Sequence, residues 1–325
     1  MGKCHPAGWH QGELKLRTPS VGRDSALRDH AMPTVGIIAA GAASAVEGFK
    51  AGMRECGFFD KENIRYRVRV AHGASAKLST FATEMVETAV DLIAVVGAVT
   101  ARAAQEATTH IPIVYAVVVD PISDGLASTA GKPLGNVTGI TTFDPDQART
   151  QQSLLRSINP RLARIALLAD TNVSDCLVNA NALAAEEAGL RTQVLHVSGP
   201  DPDFEKVFAA MRHDGAEALV VLEHPINGAN AAIIAKLALS NGLPTIMARE
   251  QANAGGLFSY GTRLSLAAHQ MARLAGRILR AEKPCSVAIE VVHRRELVVN
   301  MATARGLGLT VPPDIRDRAL AVLNY

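Results

Sequence analysis

The chain has 325 residues, of which 48% are hydrophobic and 20% are charged, and its formal net charge at pH 7 is +2. This length is sufficient for two domains of ordinary size, each with a core of its own. The nearly balanced charge, without a basic block or stripe, excludes nucleic acid as the expected partner, and an aromatic content of 4% is too low for a cage of several rings around a quaternary amine.

The first 32 residues are polar and punctuated by Gly and Pro, which predicts a mostly disordered tail without the apolar core of a secretory signal. No apolar run in the chain approaches the roughly 18 to 20 residues that cross a membrane. The four cysteines stand far apart, without CxxC or other metal-ligand spacing. We therefore expect no metal and no cofactor.

Strand and helix patterns alternate from residue 33 onward. In the first half, strands are predicted at 35–39, 64–71, 92–96 and 111–119. Helices are predicted after a turn at 40–44 and running to about 56, from 75, and from 101 to 108. In the second half, helices are predicted at 146–158, 174–188, 202–212, 227–240 and 264–281, and strands at 164–169, 192–197, 218–222, 244–248, 256–260, 287–292 and 297–300. Such alternation with short links predicts α/β architecture with parallel, doubly wound sheets.

The segment His110–Phe143 organises this prediction. Its apolar run, Ile111–Val119, is rich in β-branched residues, as is typical of a strand buried on both faces of a parallel sheet. The run stops at Asp120-Pro121, at the end of the strand where open α/β sheets bind ligands. A glycine-rich return then leads into a second β-branched run, Val137–Thr142.

The same segment carries the patterns IPIV, DP, GL and P-x-GNVTG in order, and residues 296–313 read ELVVNMATARGLGLTVPP. These two motifs resemble the substrate-binding proteins of ABC transporters, in the subgroup that includes members binding tryptophan and other aromatic amino acids. The resemblance spans about residues 33 to 319. It departs from the family pattern at Leu134, where members usually carry a second glycine before Gly135.

The resemblance implies a type I periplasmic-binding-protein fold, with two Rossmann-like lobes and a ligand cleft between them. The expected lobes are residues 33–143 with about 262–288, and residues 144–261 with about 289–325. It also implies a solute-binding protein of an ABC importer, which captures an amino acid or related carboxylate by hinge closure and presents it to a membrane permease. We expect a monomer, with a dimer left open.

Family members are normally exported, so the resemblance implies a periplasmic location, whereas the tail shows no signal. An upstream start, a trimmed signal and an intracellular protein remain as alternatives.

Ligand contacts are expected just after the carboxyl ends of the predicted strands, where polar residues concentrate. The candidates are Ala40, Gly41, Ser44, Gly97, Ala98, Val99, Thr100, Val119 and Asp120 in the first lobe, and Asp170, Thr171, Asn172, Glu223 and Arg249 in the second.

In the first lobe, Gly97–Thr100 is the leading anion contact, because small residues at a helix start allow a carboxylate to approach backbone N–H groups. The alternative is a tight strand-to-helix turn. Asp120 either pairs with an ammonium or hydroxyl group or shapes a turn with Pro121.

In the second lobe, residues 170–172 either contact the ligand or cap the following helix. Arg249 suits bidentate binding of a carboxylate or forms a salt bridge between lobes. Glu223 either holds a cation or N–H group or is a solvated loop charge. His224 is a weaker candidate than its neighbours, because a lone histidine is usually structural.

No Walker A, G-x-S-x-G or H-E-x-x-H pattern occurs, so we expect a non-enzymatic protein. A racemase with one cysteine in each lobe would need Cys56 near the ligand, and Cys56 falls at the far end of a predicted helix. The alternative function is an intracellular small-molecule sensor that acts through protein partners. A DNA-binding head is not expected, because the short tail shows no three-helix pattern.

Overall fold

A computed structural model describes residues 32–324, apart from 41, 42, 72, 73, 172–174, 200 and 293. The predicted disordered tail lies almost entirely outside the described residues. The described chain divides into an N-terminal unit, residues 32–142 with 264–292, and a C-terminal unit, residues 143–263 with 294–324. None of the helices in the described part of the chain is long and apolar enough to cross a membrane.

The N-terminal unit is built on a six-stranded parallel sheet of order β11-β5-β4-β3-β1-β2, with elements numbered along the whole chain. Its strands are β1 (Thr34–Ala39), β2 (Arg65–Val70), β3 (Leu92–Val96), β4 (Ile113–Val118), β5 (Val137–Thr141) and β11 (Glu290–Val291). Its helices are α1 (Ala43–Glu55), α2 (Leu78–Glu87), α3 (Ala98–Ala107) and α9 (Leu264–Leu279).

Both faces of this sheet are covered, which explains why its central strands are continuous apolar runs. One face packs against α1 and α9, and the other against α2 and α3. Small residues allow α1 to approach α9 closely, since a Cβ on Gly48 would lie 2.1 Å from the Ser265 carbonyl oxygen. The edge strand β2 alternates instead, with Arg65 and Arg67 exposed.

The C-terminal unit is built on a seven-stranded sheet of order β13-β12-β10-β9-β8-β6-β7, in which the β10–β12 pair is antiparallel. Its strands are β6 (Arg164–Asp170), β7 (Arg191–Val197), β8 (Ala218–Val221), β9 (Thr245–Met247), β10 (Phe258–Gly261), β12 (Glu296–Asn300) and β13 (Ala321–Leu323). Its helices are α4 (Pro145–Ile158), α5 (Cys176–Glu187), α6 (Phe204–His213), α7 (Pro225–Ala229), α8 (Ala231–Ser240), α10 (Met301–Gly306) and α11 (Pro313–Arg318).

Three features differ from the sequence prediction. The helix predicted at 227–240 is two helices, which are separated at Asn230 by a non-helical residue (φ −108°, ψ 14°). The Asn230 side chain donates to the Ile226 carbonyl oxygen at 2.9 Å. The elements α10, α11 and β13 were not predicted. Residues 289–292 were expected in the C-terminal lobe, whereas Glu290–Val291 pairs with β5 of the N-terminal sheet.

Candidate functional site

The candidates of the N-terminal unit gather at the carboxyl edge of its sheet, because β1, β3 and β4 are parallel and end there. Ala40 follows β1 and is partly buried, and Ser44 lies exposed in the first turn of α1. Val119 and Asp120 follow β4 and are partly buried. Gly41 lies outside the described residues.

The start of α3 is the part of this edge best suited to an anion. Gly97 has φ +95°, a left-handed conformation that favours glycine and turns the chain directly from β3 into α3. Its N–H group donates to the Ala116 carbonyl oxygen at 2.9 Å. The N–H groups of residues 98 to 100 precede the first bond of the helix, which Ala101 donates to Gly97, so the helix offers them no acceptor.

Thr100 adds a side-chain hydroxyl at the same place. This residue is 1% exposed, and its hydroxyl has no hydrogen-bond partner among the described residues. A buried polar group without a hydrogen bond lowers the free energy of unfolding by roughly 1–3 kcal/mol, so a further hydrogen-bond partner would stabilise the protein. The tight strand-to-helix turn is therefore present, and the anion contact at residues 97–100 stays a prediction.

Asp120 shapes a turn, which is the second of the two roles that the sequence offered for it. Its carboxylate accepts the Ser123 N–H at 3.0 Å and the Ser123 hydroxyl at 2.6 Å. The loop is attached to α3, because Arg102 donates to Asp124 at 2.5 Å and Gln105 donates to the Gly125 carbonyl oxygen at 3.0 Å. The Asp120 loop and the start of α3 thus form one scaffold.

In the C-terminal unit, the carboxyl edge joins Asp170 and His224. Asp170 ends β6, is 3% exposed, and donates its N–H to His224 Nδ1 at 2.9 Å. Its carboxylate accepts the Ile226 N–H at 3.4 Å. Thr171 is exposed and donates its N–H to the Val197 carbonyl oxygen at 3.0 Å. Asn172 lies outside the described residues.

His224, rated a weak candidate by sequence, is the most distinctive residue of this edge. It is 3% exposed, and burial lowers its pKa to about 4, against smaller opposing effects of Asp170 and Asp175. The buried side chain of Asn227 fixes the loop by donating to the carbonyl oxygens of Leu168 and Leu222 at 2.9 and 3.1 Å. Sequence reasoning gave no signal for this pairing.

Glu223 is partly buried beside other charged groups. Burial raises the pKa of its carboxyl to about 7, Arg295 acts to lower it, and Glu250 acts to raise it. A carboxyl that titrates near neutrality can act as either donor or acceptor of a hydrogen bond.

Arg249 forms an ion pair within its own unit. Its Nε–H donates to Glu296 at 3.0 Å. Two further guanidinium groups approach the same carboxylate, those of Arg263 at 3.6 Å and Arg294 at 3.7 Å. The Glu296 side chain is 2% exposed. Glu296 is the first residue of β12, one position before the strand predicted at 297–300, and it was not among the predicted site residues.

The opposite, amino edge of the C-terminal sheet carries a surface groove of about 350 Å³, lined in part by Arg164, Arg191, His213 and Asp214. None of the predicted ligand-binding residues lines it. Among the described residues, no group of three or more His, Cys, Asp or Glu side chains is arranged to hold a metal ion.

Comparisons with known proteins agree with one another. A family model described as "ABC transporter substrate binding protein" matches residues 35–323. A tyrosine-binding protein from Clostridioides difficile (strain R20291) is 24% identical over 267 residues, which are 82% of this chain and 76% of the relative.

Two solved structures are similar over 90% of this chain and 100% of their own. An ABC domain in complex with L-Trp from Streptococcus pneumonia has a TM-score of 0.81 at 22% identity. A ligand-free, open substrate-binding protein with adhesive properties from Clostridium difficile has a TM-score of 0.71 at 22% identity. These likenesses confirm the predicted type I periplasmic-binding-protein fold.

Proposed function

Because the chain belongs to the family of ABC transporter substrate-binding proteins, we propose that it captures a small carboxylate-bearing solute, with amino acids as the leading class and aromatic ones first. The family match covers residues 35–323 and confirms the resemblance carried by the two sequence motifs. The activity of the chain is therefore the binding of a small solute. The proposal adds that this solute carries a carboxylate group.

The start of α3 is the observation that supports a carboxylate group on the ligand. A helix N-terminus bears about half a positive elementary charge and presents N–H groups that the helix cannot pair. Gly97 has no neighbouring atom within 4 Å of where a Cβ would be, so the approach to this backbone is open. The buried Thr100 hydroxyl supplies a further donor to an oxygen atom.

The relatives support the choice of amino acids. The curated relative is named for binding tyrosine, and the solved structure with the TM-score of 0.81 holds L-Trp. Both compounds carry a carboxylate together with an aromatic ring.

A thermal-unfolding screen with matched pairs of compounds tests the proposal. Tryptophan and tyrosine are compared with tryptamine and tyramine, which lack only the carboxylate, and the panel extends to the other amino acids and aromatic acids. A ligand at 100 times its dissociation constant adds about 2.7 kcal/mol to the free energy of unfolding, which raises the midpoint measurably. The proposal fails if no carboxylate raises the midpoint, or if the decarboxylated partner raises it equally.

Delivery to the permease of an importer, capture by hinge closure, a monomeric state and a periplasmic location belong to the same proposal. The family match supports it, because members of this family are normally exported. Fractionation of the native source tests the location, and recovery of the protein with the cytoplasmic fraction alone would contradict it.

A further inference from the structure

We propose that His224 is a ligand-binding residue whose neutral Nε2–H group donates a hydrogen bond to a hydroxyl oxygen of the solute. This inference rests on the solute-binding function proposed above and assigns a specific chemical group of the ligand to the carboxyl edge of the C-terminal sheet.

The tautomer of His224 is set by its backbone partner. The Asp170 N–H donates to Nδ1 at 2.9 Å, which requires an unprotonated Nδ1. In a neutral imidazole the proton is then on Nε2, so that atom is a hydrogen-bond donor. Burial keeps the ring neutral near pH 7, since it lowers the pKa to about 4.

The ring is held firmly before any ligand arrives. The His224 N–H donates to the Leu222 carbonyl oxygen at 2.8 Å, and its own carbonyl oxygen accepts the Gly228 N–H at 2.9 Å. Asn227, 0% exposed, binds the same loop to β6 through the Leu168 carbonyl oxygen. A donor positioned in this way gives directional recognition, because little conformational freedom is lost when the ligand binds.

The donor at Nε2 lacks a partner. The atom is buried and has no hydrogen-bond partner among the described residues. Leaving such a donor unpaired costs roughly 1–3 kcal/mol, whereas the other ring nitrogen is fully satisfied. A structural histidine with both nitrogens paired would not show this asymmetry.

The charges around the ring identify the ligand group. Asp170 and Asp175 act on the ring as negative charges, and His196 lies 3.9 Å from Asp175. A ligand carboxylate placed here would be repelled by these two carboxylates, and an ammonium group has no lone pair to accept from Nε2–H. A hydroxyl is neutral, accepts from Nε2–H, and can donate its own proton to a carboxylate oxygen.

Calorimetric titration with solutes that differ by one hydroxyl tests the inference. Tyrosine is compared with phenylalanine, and serine with alanine. We expect the hydroxylated member of a binding pair to bind at least about 10-fold more tightly, because the partner would leave Nε2–H unpaired. In protein labelled with ¹⁵N-histidine, the Nε2–H signal of His224 should shift downfield and exchange more slowly with the hydroxylated solute.

Two substitutions separate the ring nitrogens. His224→Asn retains an oxygen that can accept the Asp170 N–H but removes the donor at Nε2, and should abolish the preference for the hydroxyl. His224→Gln places an amide N–H near the Nε2 position and should retain part of it. The thermal-unfolding midpoint of each variant shows that it is folded.

The outcomes distinguish this inference from the function on which it rests. If carboxylate solutes bind but the hydroxylated and unhydroxylated members bind equally, the inference is overturned and the proposed function stands. Retention of the full preference by His224→Asn overturns it as well. If no solute binds the wild-type protein, both are overturned.

Discussion

The guanidinium of Arg249 donates its Nε–H to the carboxylate of Glu296 across 3.0 Å. Glu296 faces Gly261 in the antiparallel β10–β12 pair, so the two strands present it where β10 ends and β12 begins. Three arginines, Arg249, Arg263 and Arg294, thus share one buried carboxylate. The carboxylate offsets their mutual repulsion.

Glu296→Gln should lower the free energy of unfolding by about 3 kcal/mol, because removing one partner of a buried ion pair leaves uncompensated charge. Urea denaturation measures the change. Glu282→Gln is the matched control, since Glu282 pairs with Arg277 on the surface at 2.7 Å, and the loss of such an exposed pair changes the free energy of unfolding little. A Glu296 variant within 1 kcal/mol of wild type would contradict the structural role assigned to this carboxylate.

His224 should make the protein less stable as the pH falls. The unfolded chain binds the proton near pH 6.5, whereas the folded protein resists protonation until about pH 4. The contribution is therefore fully present above pH 6.5 and is lost as the pH falls toward 4, by up to about 3 kcal/mol.

The measurement is the free energy of unfolding of wild type and His224→Asn between pH 4 and 7.5. The difference in free energy of unfolding between wild type and variant should change by up to about 3 kcal/mol over this range. The variant should lose less stability than wild type as the pH falls. Asp170 and Asp175 oppose the shift and His196 reinforces it, so all three remain unaltered in the comparison. Parallel curves would exclude a buried neutral imidazole.

Glu223 should make the protein less stable as the pH rises, the reverse of the effect of His224. Its folded pKa of about 7 exceeds the ordinary value, so the stability that protonation gives the folded state is present below pH 4.5 and is lost as the pH rises through 7. Glu223→Gln, which mimics the protonated form, should match wild type near pH 4.5 and exceed it by about 1–2 kcal/mol at pH 8, after allowance for partial exposure. Chemical denaturation at the two pH values decides, and a variant less stable than wild type at pH 8 would refute the assignment.

Much of the fold follows from local sequence, whereas the pairings at the site do not. The strand Leu92–Val96 has the bounds predicted from sequence, because a short run of five consecutive apolar residues indicates a buried strand. The missed helix α10 had a readable signal, since the Asn300 side chain accepts the Thr303 N–H at 3.1 Å and caps it.

The contacts that define the candidate site join distant positions. His224 lies 54 residues from Asp170, and Glu296 lies 47 residues from Arg249. Strand order and register decide which residues meet at a sheet edge, and neither is encoded in a local pattern. Asp170, His224 and Arg249 can therefore be placed near a carboxyl edge from sequence. Their partners, including Glu296, cannot be chosen in this way.

The two glycines of the GNVTG motif should differ in their tolerance of alanine. A Cβ on Gly139 would lie 2.3 Å from the Tyr115 carbonyl oxygen and 2.5 Å from its ring, and Tyr115 is fully buried. Gly139→Ala should cost about 3 kcal/mol through overpacking. Gly135→Ala meets no atom within 4 Å and should cost about 1 kcal/mol, through its φ of +56° alone. Urea denaturation of both variants measures the difference in free energy of unfolding. Equal losses would show that the contact with Tyr115 does not determine the cost of alanine at position 139.

Thr100 in α3 and Thr138 in β5 provide the sharpest separation of binding from stability, because both are buried and their hydroxyl groups have different contacts. The Thr138 hydroxyl donates to the Val287 carbonyl oxygen at 2.7 Å, while the Thr100 hydroxyl has no partner among the described residues. Thr138→Val should lower the free energy of unfolding by about 1–2 kcal/mol and leave ligand affinity unchanged.

Thr100→Val should leave the stability of the ligand-free protein unchanged or raise it by up to about 1 kcal/mol, because it removes an unpaired buried hydroxyl. The same change should weaken carboxylate binding about 5- to 10-fold, since a donor to the ligand is lost. Urea denaturation without ligand and calorimetric titration with the solute identified in the screen supply the two values. Loss of stability with intact affinity would show that the Thr100 hydroxyl contributes to folding and would remove it from the binding site.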